Sequence, residues 1–385
     1  MLRRISVTIV TLLIAFTFAL GYVSFNAPIK NNDQSNNTDI NDDMAEQFSP
    51  PLVFDEDGNF TILHLTDFHE WMGIEKTIGV SVQDTLKPIL ESYISDIVNT
   101  VKPDLVVLGG DNIFSLSYIY DYLNSIALNT YKRFAEIFEG LNQYWTLTFG
   151  NHDSESASDK YDFLDAIKDY PHFIGGVESG KYHTTCIVKA AEGESDYVSN
   201  FSIPVYSNDK SSVKYNLFIL DSGSFDYVEK DKGYRSIRQE QVDWYASEIN
   251  KLNAGYGGVI PSLMFTHIPF PEMFDVYLAG GGIGEYTNLS PSYEPSNMLN
   301  ECVKQGSTRG IFFGHNHSNS YTGFYKSGES KIMMGVTPCA QALSYDDVTS
   351  IMNARVVTIN DQGGLSTYIT KGTSGEPYKQ QILIY

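Results

Sequence analysis

Two histidines are separated by a single residue in the segment Gly310–Ser318, which reads GIFFGHNHS. They follow an apolar run and a glycine, and the chain has only 8 histidines in all. Side chains at positions i and i+2 of an extended chain point to the same side, so His315 and His317 are expected to face one site. Imidazole is a common ligand of zinc, iron and manganese ions. The pair therefore predicts a metal site at the end of a buried strand.

Metal donors also follow four other apolar runs along the chain. TILHLT precedes Asp-Phe-His, DLVVLGG precedes Asp-Asn, YWTLTFG precedes Asn-His-Asp, and SLMFT precedes His-Ile-Pro. One such segment alone is weak evidence, since a histidine at a strand end or an Asp or Asn in a turn is often structural. The full set predicts a dinuclear metal site at one rim of a sheet, where ligands of α/β proteins bind. The candidate residues are Asp67, His69, Asp111, Asn151, His152, Asp153, His267, His315 and His317.

These residue types suit phosphoester hydrolysis. Two metal ions held about 3.5–4 Å apart can clamp a phosphate and supply a bridging hydroxide as the nucleophile. Asp111 can bridge both ions and offset their charge, whereas Asn151 offers a neutral oxygen. We expect His315 to bind one ion and His317 the other, which explains why they stand side by side.

The donors require a scaffold that brings strand ends together. The predicted strands cover residues 60–66, 104–108, 144–149, 215–220, 262–266 and 310–313, and the predicted helices cover 82–101, 117–140 and 238–252. The last part of the chain is β-rich, with KIMMGV and ARVVTI as the clearest runs. Such alternation implies an α/β protein with right-handed βαβ crossovers and sheets covered by helices.

The five segments DFH, GD, GNHD, HIP and GHNH, between residues 67 and 317, resemble the motifs of the calcineurin-like metallophosphoesterase superfamily. The resemblance implies a four-layer α/β/β/α sandwich of two mixed β-sheets flanked by helices. It also implies that one metal is held by Asp67, His69, Asp111 and His317, and the other by Asp111, Asn151, His267 and His315. His152 would contact the phosphate and help the leaving group depart, and Asp153 would orient His152.

Within this superfamily, LVVLGGDNIF, FTHIPFPEM and GIFFGHNHSNSY look most like the plant and fungal phosphatases grouped with the purple acid phosphatases. Two positions depart from the true purple enzymes. Those enzymes carry a tyrosinate where this chain has Phe114, and their first motif lacks the histidine that stands here as His69. We therefore expect no purple iron band. The expected cofactors are two divalent or mixed-valence ions of manganese, iron or zinc.

The expected activity is hydrolysis of a small phosphorylated substrate or a phosphoprotein, with phosphomonoesters as the first choice. A phosphodiesterase for cyclic nucleotides, nucleotides or phospholipid headgroups remains open at the same site, as does a non-catalytic surface protein that binds metal or phosphate. Loops over the site, expected at residues 70–82 and 271–295, would set the choice. A net charge of -21 repels nucleic acid, so no nucleic acid polymer is expected as a partner.

The N-terminus predicts the compartment. Arg3 and Arg4 precede the uncharged run Ile5–Phe25, which fits a secretory signal and is also about as long as a membrane span. Residues 1–25 are therefore predicted as a signal peptide or signal anchor, and the protein as secreted or tethered outside the cytoplasm. Residues 26–51 are predicted as a disordered polar linker, and residues 52–385 as one catalytic domain. The three cysteines form no CxxC pair, which favours buried thiols and leaves one disulfide open.

Overall fold

Two β-sheets form the centre of the fold. The computed structural model describes residues 51–70, 83–114, 122, 125–192, 194–225, 233–293, 296–341 and 352–385. The strands in these ranges are β1 (Asn59–Leu65), β2 (Leu105–Gly109), β3 (Trp145–Thr148), β4 (Thr184–Val188), β5 (Tyr197–Tyr206), β6 (Val213–Leu220), β7 (Ser262–Thr266), β8 (Thr308–Phe313), β9 (Thr322–Ser327), β10 (Ser330–Val336), β11 (Asn353–Asn360), β12 (Leu365–Lys371) and β13 (Leu383–Ile384).

Both sheets are mixed. The six-stranded sheet has the order β13-β12-β11-β1-β2-β3, and the seven-stranded sheet has the order β4-β5-β6-β7-β8-β10-β9. In the first, β1, β2 and β3 run parallel, while β11 pairs antiparallel with β1. In the second, β6, β7, β8 and β10 run parallel. The candidate donors follow parallel strands of both sheets, which places them at carboxyl edges.

Strand β6 shows how the layers stack. The helices are α1 (Gln83–Val101), α2 (Ile126–Gly140), α3 (Lys160–Ile167), α4 (Gln239–Tyr256), α5 (Met273–Ala279) and α6 (Met298–Gln305). Leu217 and Ile219 belong to a hydrophobic core shared with the six-stranded sheet, α1 and α2, whereas Phe218 and Leu220 belong to a second core shared with α4 and α6. Because alternate strand residues face opposite sides, one sheet face meets the other sheet and the other meets helices. The predicted four-layer α/β/β/α sandwich is confirmed.

The predicted elements agree with the observed ones except at some ends. All six predicted strands are present, with their ends shifted by at most two residues. Helix α2 begins at Ile126, after Ser125 with its left-handed φ of 52°. The start predicted at residue 117 is not tested, because residues 115–121, 123 and 124 lie outside the described ranges. Helix α4 extends to Tyr256 and ends at Gly257, whose φ of 71° suits a helix end. Strands β4 and β5 were not predicted.

The predictions for the N-terminus fall outside the described residues, apart from Pro51. Within the described ranges, no helix is both long and apolar enough to cross a membrane. All three cysteines have free thiols, and two of them, Cys302 and Cys339, are buried. The expectation of buried, unpaired cysteines therefore holds for these two, and Cys186 is half-buried.

Candidate metal centre

The loops after β1 and β2 continue to pair where the strands end. The backbone N–H of Asp67 donates to the carbonyl of Gly110, and that of His69 donates to the carbonyl of Asp111, both at 3.0 Å. This ladder fixes the DFH and GDN segments side by side. Consequently, the first three candidate ligands come from one rigid pair of loops.

Four of the candidate residues have left-handed backbone conformations. The φ angle is 56° at Asp67, 50° at His69, 49° at Asp111 and 69° at His315. Such angles are uncommon outside glycine, and each costs about 1–3 kcal/mol. They persist only where the surrounding structure fixes them, and they concentrate at functional sites. The strain therefore supports a functional role for these loops.

Two glycines allow the loops to approach one another closely. A Cβ atom on Gly150 would lie 2.2 Å from Asp111 Oδ1. A Cβ atom on Gly314 would lie 2.2 Å from Thr66 Oγ1 and 2.9 Å from Asp67 Oδ2. Any side chain at either position would push the neighbouring loop away. The glycines that precede Asn151 and His315 thus maintain the geometry of the site.

The first group of donors contains Asp67, His69 and His317. The Nε2 atoms of His69 and His317 are 3.0 Å apart, and Asp67 Oδ1 lies 3.7 and 3.5 Å from them. Asp111 Oδ2 lies 3.8 Å from His69 Nε2. The donor atoms of Asp67, His69 and His317 lie within 4.8 Å of one another, so a single ion could be held among them, with Asp111 beside His69.

The second group contains Asp111, His267 and His315. Their donor atoms lie within 4.8 Å of one another, and His267 Nε2 is 3.1 Å from Asp111 Oδ2. Asn151 is buried, and its Oδ1 atom accepts no hydrogen bond from the described residues. A buried oxygen without a partner is costly, and a metal ion would satisfy it. Carboxylate, imidazole and amide donors without a thiolate fit manganese, zinc or iron.

Hydrogen bonds orient three of the candidate ligands, His267, Asp67 and Asp111, toward the site. His267 Nδ1 lies 2.9 Å from the Gly109 carbonyl, which assigns the proton to Nδ1 and leaves Nε2 as a ligand atom. Asp67 Oδ2 accepts from the N–H of His315 at 2.9 Å, and Asp111 Oδ1 accepts from the N–H of His152 at 2.8 Å. The remaining oxygen of each carboxylate points toward the donor groups described above.

The electrostatics of the site favour cations. Burial lowers the pKa of His267, but Asp111 and Asp67 outweigh it and raise the pKa to about 9. Burial raises the pKa of Asp111, but His267 and His152 outweigh it and hold the pKa well below its usual range. Two buried carboxylates thus keep their negative charge and attract a positive one, either a proton or a metal ion.

Residues 60–319 match the family model described as calcineurin-like phosphoesterase, and this match covers more than half of the chain. The chain belongs to the calcineurin-like phosphoesterase family. The resemblance seen in the five motifs is therefore confirmed, and the protein is a metal-dependent phosphoesterase.

Similar proteins fall in the expected branch. "Probable inactive purple acid phosphatase 29" of Arabidopsis thaliana is 27% identical over 297 residues, which cover 71% of each chain. "Phosphatase DCR2" of Saccharomyces cerevisiae is 24% identical over 283 residues, which cover 69% of this chain and 45% of that protein. A crystal structure of a dimetal phosphatase from Danio rerio aligns with a TM-score of 0.46 and 10% identity, over 84% of this chain and 98% of that one.

The partner of His152 in this phosphoesterase differs from the predicted one. Asp153 was expected to orient His152, but His152 Nδ1 lies 2.6 Å from Glu155 Oε2. Asp153 is buried and accepts hydrogen bonds from the N–H groups of Asn112, Ile113 and Gly150 and from the hydroxyl of Tyr131. The orienting role predicted for Asp153 is therefore wrong, because its oxygens brace the loops after β2 and β3.

His152 and Asp153, the two residues that follow Asn151, differ in the charge state that their surroundings favour. Burial lowers the pKa of His152, but Asp111 and Glu155 outweigh it and raise the pKa to about 9. Burial and the nearby charge of Asp111 raise the pKa of Asp153 to about 6. A positively charged imidazole is thus favoured on the rim of the site, beside a carboxyl group that serves the scaffold.

A cavity of about 230 Å³ opens beside the donor groups of this phosphoesterase. Its lining residues are Asp111, His152, Tyr234, Thr287, Asn288, Ser290, His315, Asn316, His317 and Ser318. The predicted loop 271–295 thus contributes Thr287, Asn288 and Ser290, while residues 71–82 lie outside the described ranges. Most of the additional wall consists of hydroxyl and amide groups, which suits a polar ligand.

Sequence reasoning missed Tyr234, which lies in this wall. Its ring meets the His315 ring edge-on, with 4.2 Å between ring centroids. Isolated bridges to Phe225 and Ser292 hold its backbone in place. No motif signals this residue, because segments distant in the sequence bring it to the site.

Phe114 occupies the position where purple enzymes carry a tyrosinate. Its ring lies against two of the site imidazoles, 6.0 Å from the His69 ring and 5.1 Å from the His152 ring. An aromatic hydrocarbon cannot ligate a metal through oxygen. The side chain instead packs against His69 and His152, and the rings of these two histidines are 5.2 Å apart.

Proposed function

We propose that this protein is a two-metal phosphomonoesterase that acts on phosphate esters of small polar alcohols. The observation that carries the proposal is the presence of two neighbouring donor groups, the second of which contains Asp111, whose Oδ2 atom lies 3.8 Å from His69 Nε2 of the first, with His152 on the wall of the cavity beside them. One group suits one ion, the other suits a second, and the shared carboxylate lies between them. No nucleophilic side chain belongs to the pattern, so no phosphorylated enzyme is expected.

The chain's own residues would hold the two ions. One site would use Asp67, His69, His317 and Asp111, and the other would use Asp111, Asn151, His267 and His315. When bound, such ions polarise phosphoryl oxygens and lower the pKa of coordinated water. The manganese, zinc or iron identity is not specified by these donors, since all three accept carboxylate and imidazole ligands.

His152 would supply a proton to the leaving group. Its Nδ1 atom is engaged by a carboxylate, so Nε2 is the ring nitrogen available to a bound substrate. As the ester P–O bond breaks, the proton of His152 Nε2 would pass to the departing alcohol oxygen, while the oxygen of a water molecule bonds to phosphorus. The water would lose one proton to solvent, and His152 would regain a proton from solvent before the next turnover. The products are the alcohol and inorganic phosphate. The positive charge favoured on His152 also attracts the phosphate before reaction.

The size and polarity of the cavity support a small substrate. Pockets for larger organic ligands span roughly 300–1,000 Å³, whereas this cavity has about 230 Å³. Thr287, Asn288 and Ser290 add hydrogen-bonding groups to the same cavity that His315 and His317 line. A phosphate with a short polar alcohol fits these properties better than a large apolar headgroup does.

The test compares a monoester with a diester on the purified full chain. The protein is loaded with manganese, zinc or iron, and the rates on p-nitrophenyl phosphate and bis-p-nitrophenyl phosphate are measured. The control is the same protein stripped with a chelator and then replenished. Faster turnover of the monoester, lost on stripping and regained on replenishment, is the expected result.

Two other outcomes would replace the proposal. Faster turnover of the diester would make the protein a phosphodiesterase with the same metal ligands. Two bound metals without turnover of either ester would favour a non-catalytic protein that binds metal or phosphate. The word "inactive" in the name of the Arabidopsis relative makes this second outcome a necessary arm of the experiment.

We also propose that the protein works outside the cytoplasm, through a signal peptide or signal anchor in residues 1–25 followed by a linker to residue 51. The basic pair and the uncharged run at the N-terminus support this proposal. N-terminal sequencing of the protein from its native source tests it. A mature chain that begins after the apolar run indicates cleavage, a membrane-bound full chain indicates an anchor, and a full chain in the cytosol contradicts both.

A further inference from the structure

The carboxylate that engages His152 belongs to a short 3-10 turn that begins at this histidine. The turn spans His152–Ser154, and Glu155 follows it directly. The N–H of Glu155 donates to the carbonyl of His152 at 3.0 Å, while the side chains meet at 2.6 Å. Side chains at i and i+3 eclipse each other in a 3-10 turn, so the backbone itself brings this pair together.

The surroundings of His152 leave its ring few alternative orientations. One edge of the ring is held by Glu155, and the flanks meet Phe114 at 5.1 Å and His69 at 5.2 Å between centroids. The residue nevertheless lines the cavity beside Asp111. A carboxylate on Nδ1 fixes the tautomer and the direction of Nε2, as a buried aspartate does in serine hydrolases.

We propose that Glu155 is a positioning residue of the phosphoester hydrolysis reaction, which holds His152 so that Nε2 faces the leaving-group oxygen. This inference rests on the proposed function, because it assigns a task to the proton donor of that reaction. Glu155 acts through His152. The site motif alone points to Asp153, whose oxygens are committed to the loops after β2 and β3.

The chain contains a matched control pair. His172 Nδ1 lies 2.7 Å from Glu139 Oε2, and these side chains are 21% and 20% exposed, against 23% and 28% for His152 and Glu155. Neither His172 nor Glu139 lines the cavity. The two pairs therefore share their chemistry and exposure but differ in their relation to the site.

The first experiment measures kcat and KM for Glu155→Gln and Glu139→Gln on phenyl phosphate and p-nitrophenyl phosphate. Phenol needs a proton when it departs, whereas p-nitrophenolate leaves readily without one. We expect Glu155→Gln to lower kcat on phenyl phosphate by roughly 10- to 100-fold, and distinctly less on p-nitrophenyl phosphate. KM and the metal content should hardly change, and Glu139→Gln should behave like the wild type. Equal losses on both esters would overturn the inference.

A double-mutant cycle separates positioning from general damage. In the His152→Asn background the proton donor is absent, so Glu155→Gln should cause no further loss of kcat on phenyl phosphate. Additive losses would show that Glu155 acts by a route other than His152. Glu155→Asp should recover part of the activity lost in Glu155→Gln, because the carboxylate is kept although it is shorter.

An NMR measurement keeps the inference testable without turnover or folded variants at position 155. In the wild-type protein labelled at histidine nitrogen, both Nδ1–H protons bonded to carboxylates should give strongly deshielded signals. His152→Asn should remove one signal and His172→Asn the other. A missing His152 signal would contradict the contact itself. Absence of hydrolysis by the wild type, with both signals present, would instead contradict only the proposed function.

Discussion

The two sheets contribute different chemistry to the same site. The loops after β1, β2 and β3 of the six-stranded sheet supply both carboxylates, one imidazole and one amide. The loops after β7 and β8 of the seven-stranded sheet supply only imidazoles. The ligands proposed from the first sheet are Asp67, His69, Asp111 and Asn151, and those proposed from the second are His267, His315 and His317.

The difference assigns charge to one sheet and neutral donors to the other. Asp67 and Asp111 would carry the negative charge that offsets bound cations, whereas the imidazoles would complete the coordination without charge. Water can replace a lost imidazole as a neutral ligand, but it cannot replace a lost carboxylate charge. Substitutions in the two sheets should therefore differ both in their severity and in their rescue by added metal.

The largest effect is expected for Asp111→Asn. Asp111 Oδ2 lies 3.1 Å from His267 Nε2 and 3.8 Å from His69 Nε2, which belong to different donor groups. Removal of its charge should weaken the binding of both ions and lower kcat/KM by about 10³-fold or more, equivalent to about 4 kcal/mol. Elemental analysis and a phosphatase assay measure both effects, and excess metal should not restore activity.

Asp104→Asn is the matched control for that change. Asp104 immediately precedes β2, whereas Asp111 follows its other end. Its Oδ2 atom accepts from the N–H of Thr61, a bond that an asparagine oxygen can keep. The variant should bind two metals and turn over normally. If Asp111→Asn retained both metals and full activity, the carboxylate would not be the shared ligand.

A smaller loss is expected for His317→Ala in the seven-stranded sheet. His317 Nε2 lies 3.0 Å from His69 Nε2 and 3.5 Å from Asp67 Oδ1. Because the remaining donors keep their charge, we expect weaker binding of one ion and a loss of about 10²-fold in kcat/KM, equivalent to about 2.7 kcal/mol. Millimolar metal should recover much of this activity. His183→Ala, a change just before β4 and outside the site, should have no effect on metal content.

The rescue experiment decides whether the two sheets really differ. Metal titrations of Asp111→Asn and His317→Ala are run side by side with activity as the readout. Recovery of activity in the histidine variant alone supports the assignment of charged donors to one sheet and neutral donors to the other. Equal recovery of both variants, or of neither, would mean that the charge of the carboxylates does not distinguish the sheets.

Much of the centre was predictable because its information is local. Each donor follows a short apolar run, and parallel strands bring such ends to one edge. The turn chemistry after the strands was less accessible. Whether Asp153 or Glu155 meets His152 depends on a 3-10 turn and on four hydrogen bonds that occupy Asp153. A motif that ends at Asp153 contains none of this information.

Non-local features were not predictable from the pattern. Strand β5 begins with Tyr-Val-Ser-Asn, which does not alternate, and contains Pro204, which counts against a strand interior, so its sequence does not mark it clearly. Three of the candidate ligands with left-handed φ angles, Asp67, His69 and Asp111, lie in the ladder between two loops. Tyr234 reaches the cavity through bridges to separate segments. Each feature depends on pairing between distant parts of the chain.

Two buried histidines extend the comparison from ligands to stability. His64 on β1 and His267 after β7 both have 0% exposure. Burial and the charge of Arg355 lower the pKa of His64 to about 3. At His267 the two site carboxylates outweigh burial and raise the pKa to about 9. Burial alone therefore does not determine the charge of a histidine here.

The neutral state of His64 predicts a loss of stability in acid. When the chain unfolds, the pKa of His64 returns to near 6.5. In mild acid the unfolded state therefore binds a proton that the folded state does not bind. Stability from this residue is present above pH 6.5 and is lost as the pH falls from there toward 3. At pH 5 the loss should be about 2 kcal/mol.

Urea unfolding of the wild type and of His64→Asn at pH 7 and pH 5 measures this contribution. The asparagine can keep the contact with Thr337 Oγ1, which lies 2.9 Å from His64 Nδ1, but it does not titrate. The wild type should lose about 2 kcal/mol more than the variant between the two pH values. Equal losses would mean that another group governs the acid response.

The smallest effect is expected at Tyr234, which neither sheet carries. Its ring packs on His315 and should keep that contact in Tyr234→Phe, so metal content should not change. We expect the Tyr234 hydroxyl to donate to a phosphoryl oxygen of the substrate, so its loss should lower kcat/KM by roughly 10-fold, equivalent to about 1.4 kcal/mol. The assay is the same monoester hydrolysis, performed at saturating metal.

Tyr277→Phe serves as the control, because Tyr277 is 42% exposed on helix α5 and stacks on Tyr286. It should leave kcat/KM unchanged. If Tyr234→Phe matched this control, the residue would contribute only packing. If Tyr234→Phe lost metal instead, the ring contact with His315 would depend on the hydroxyl, and the wall would belong to the ligand scaffold of the seven-stranded sheet. A selective loss of turnover with both metals retained would identify the wall as a third contributor, which acts on substrate after the two sheets have assembled the centre.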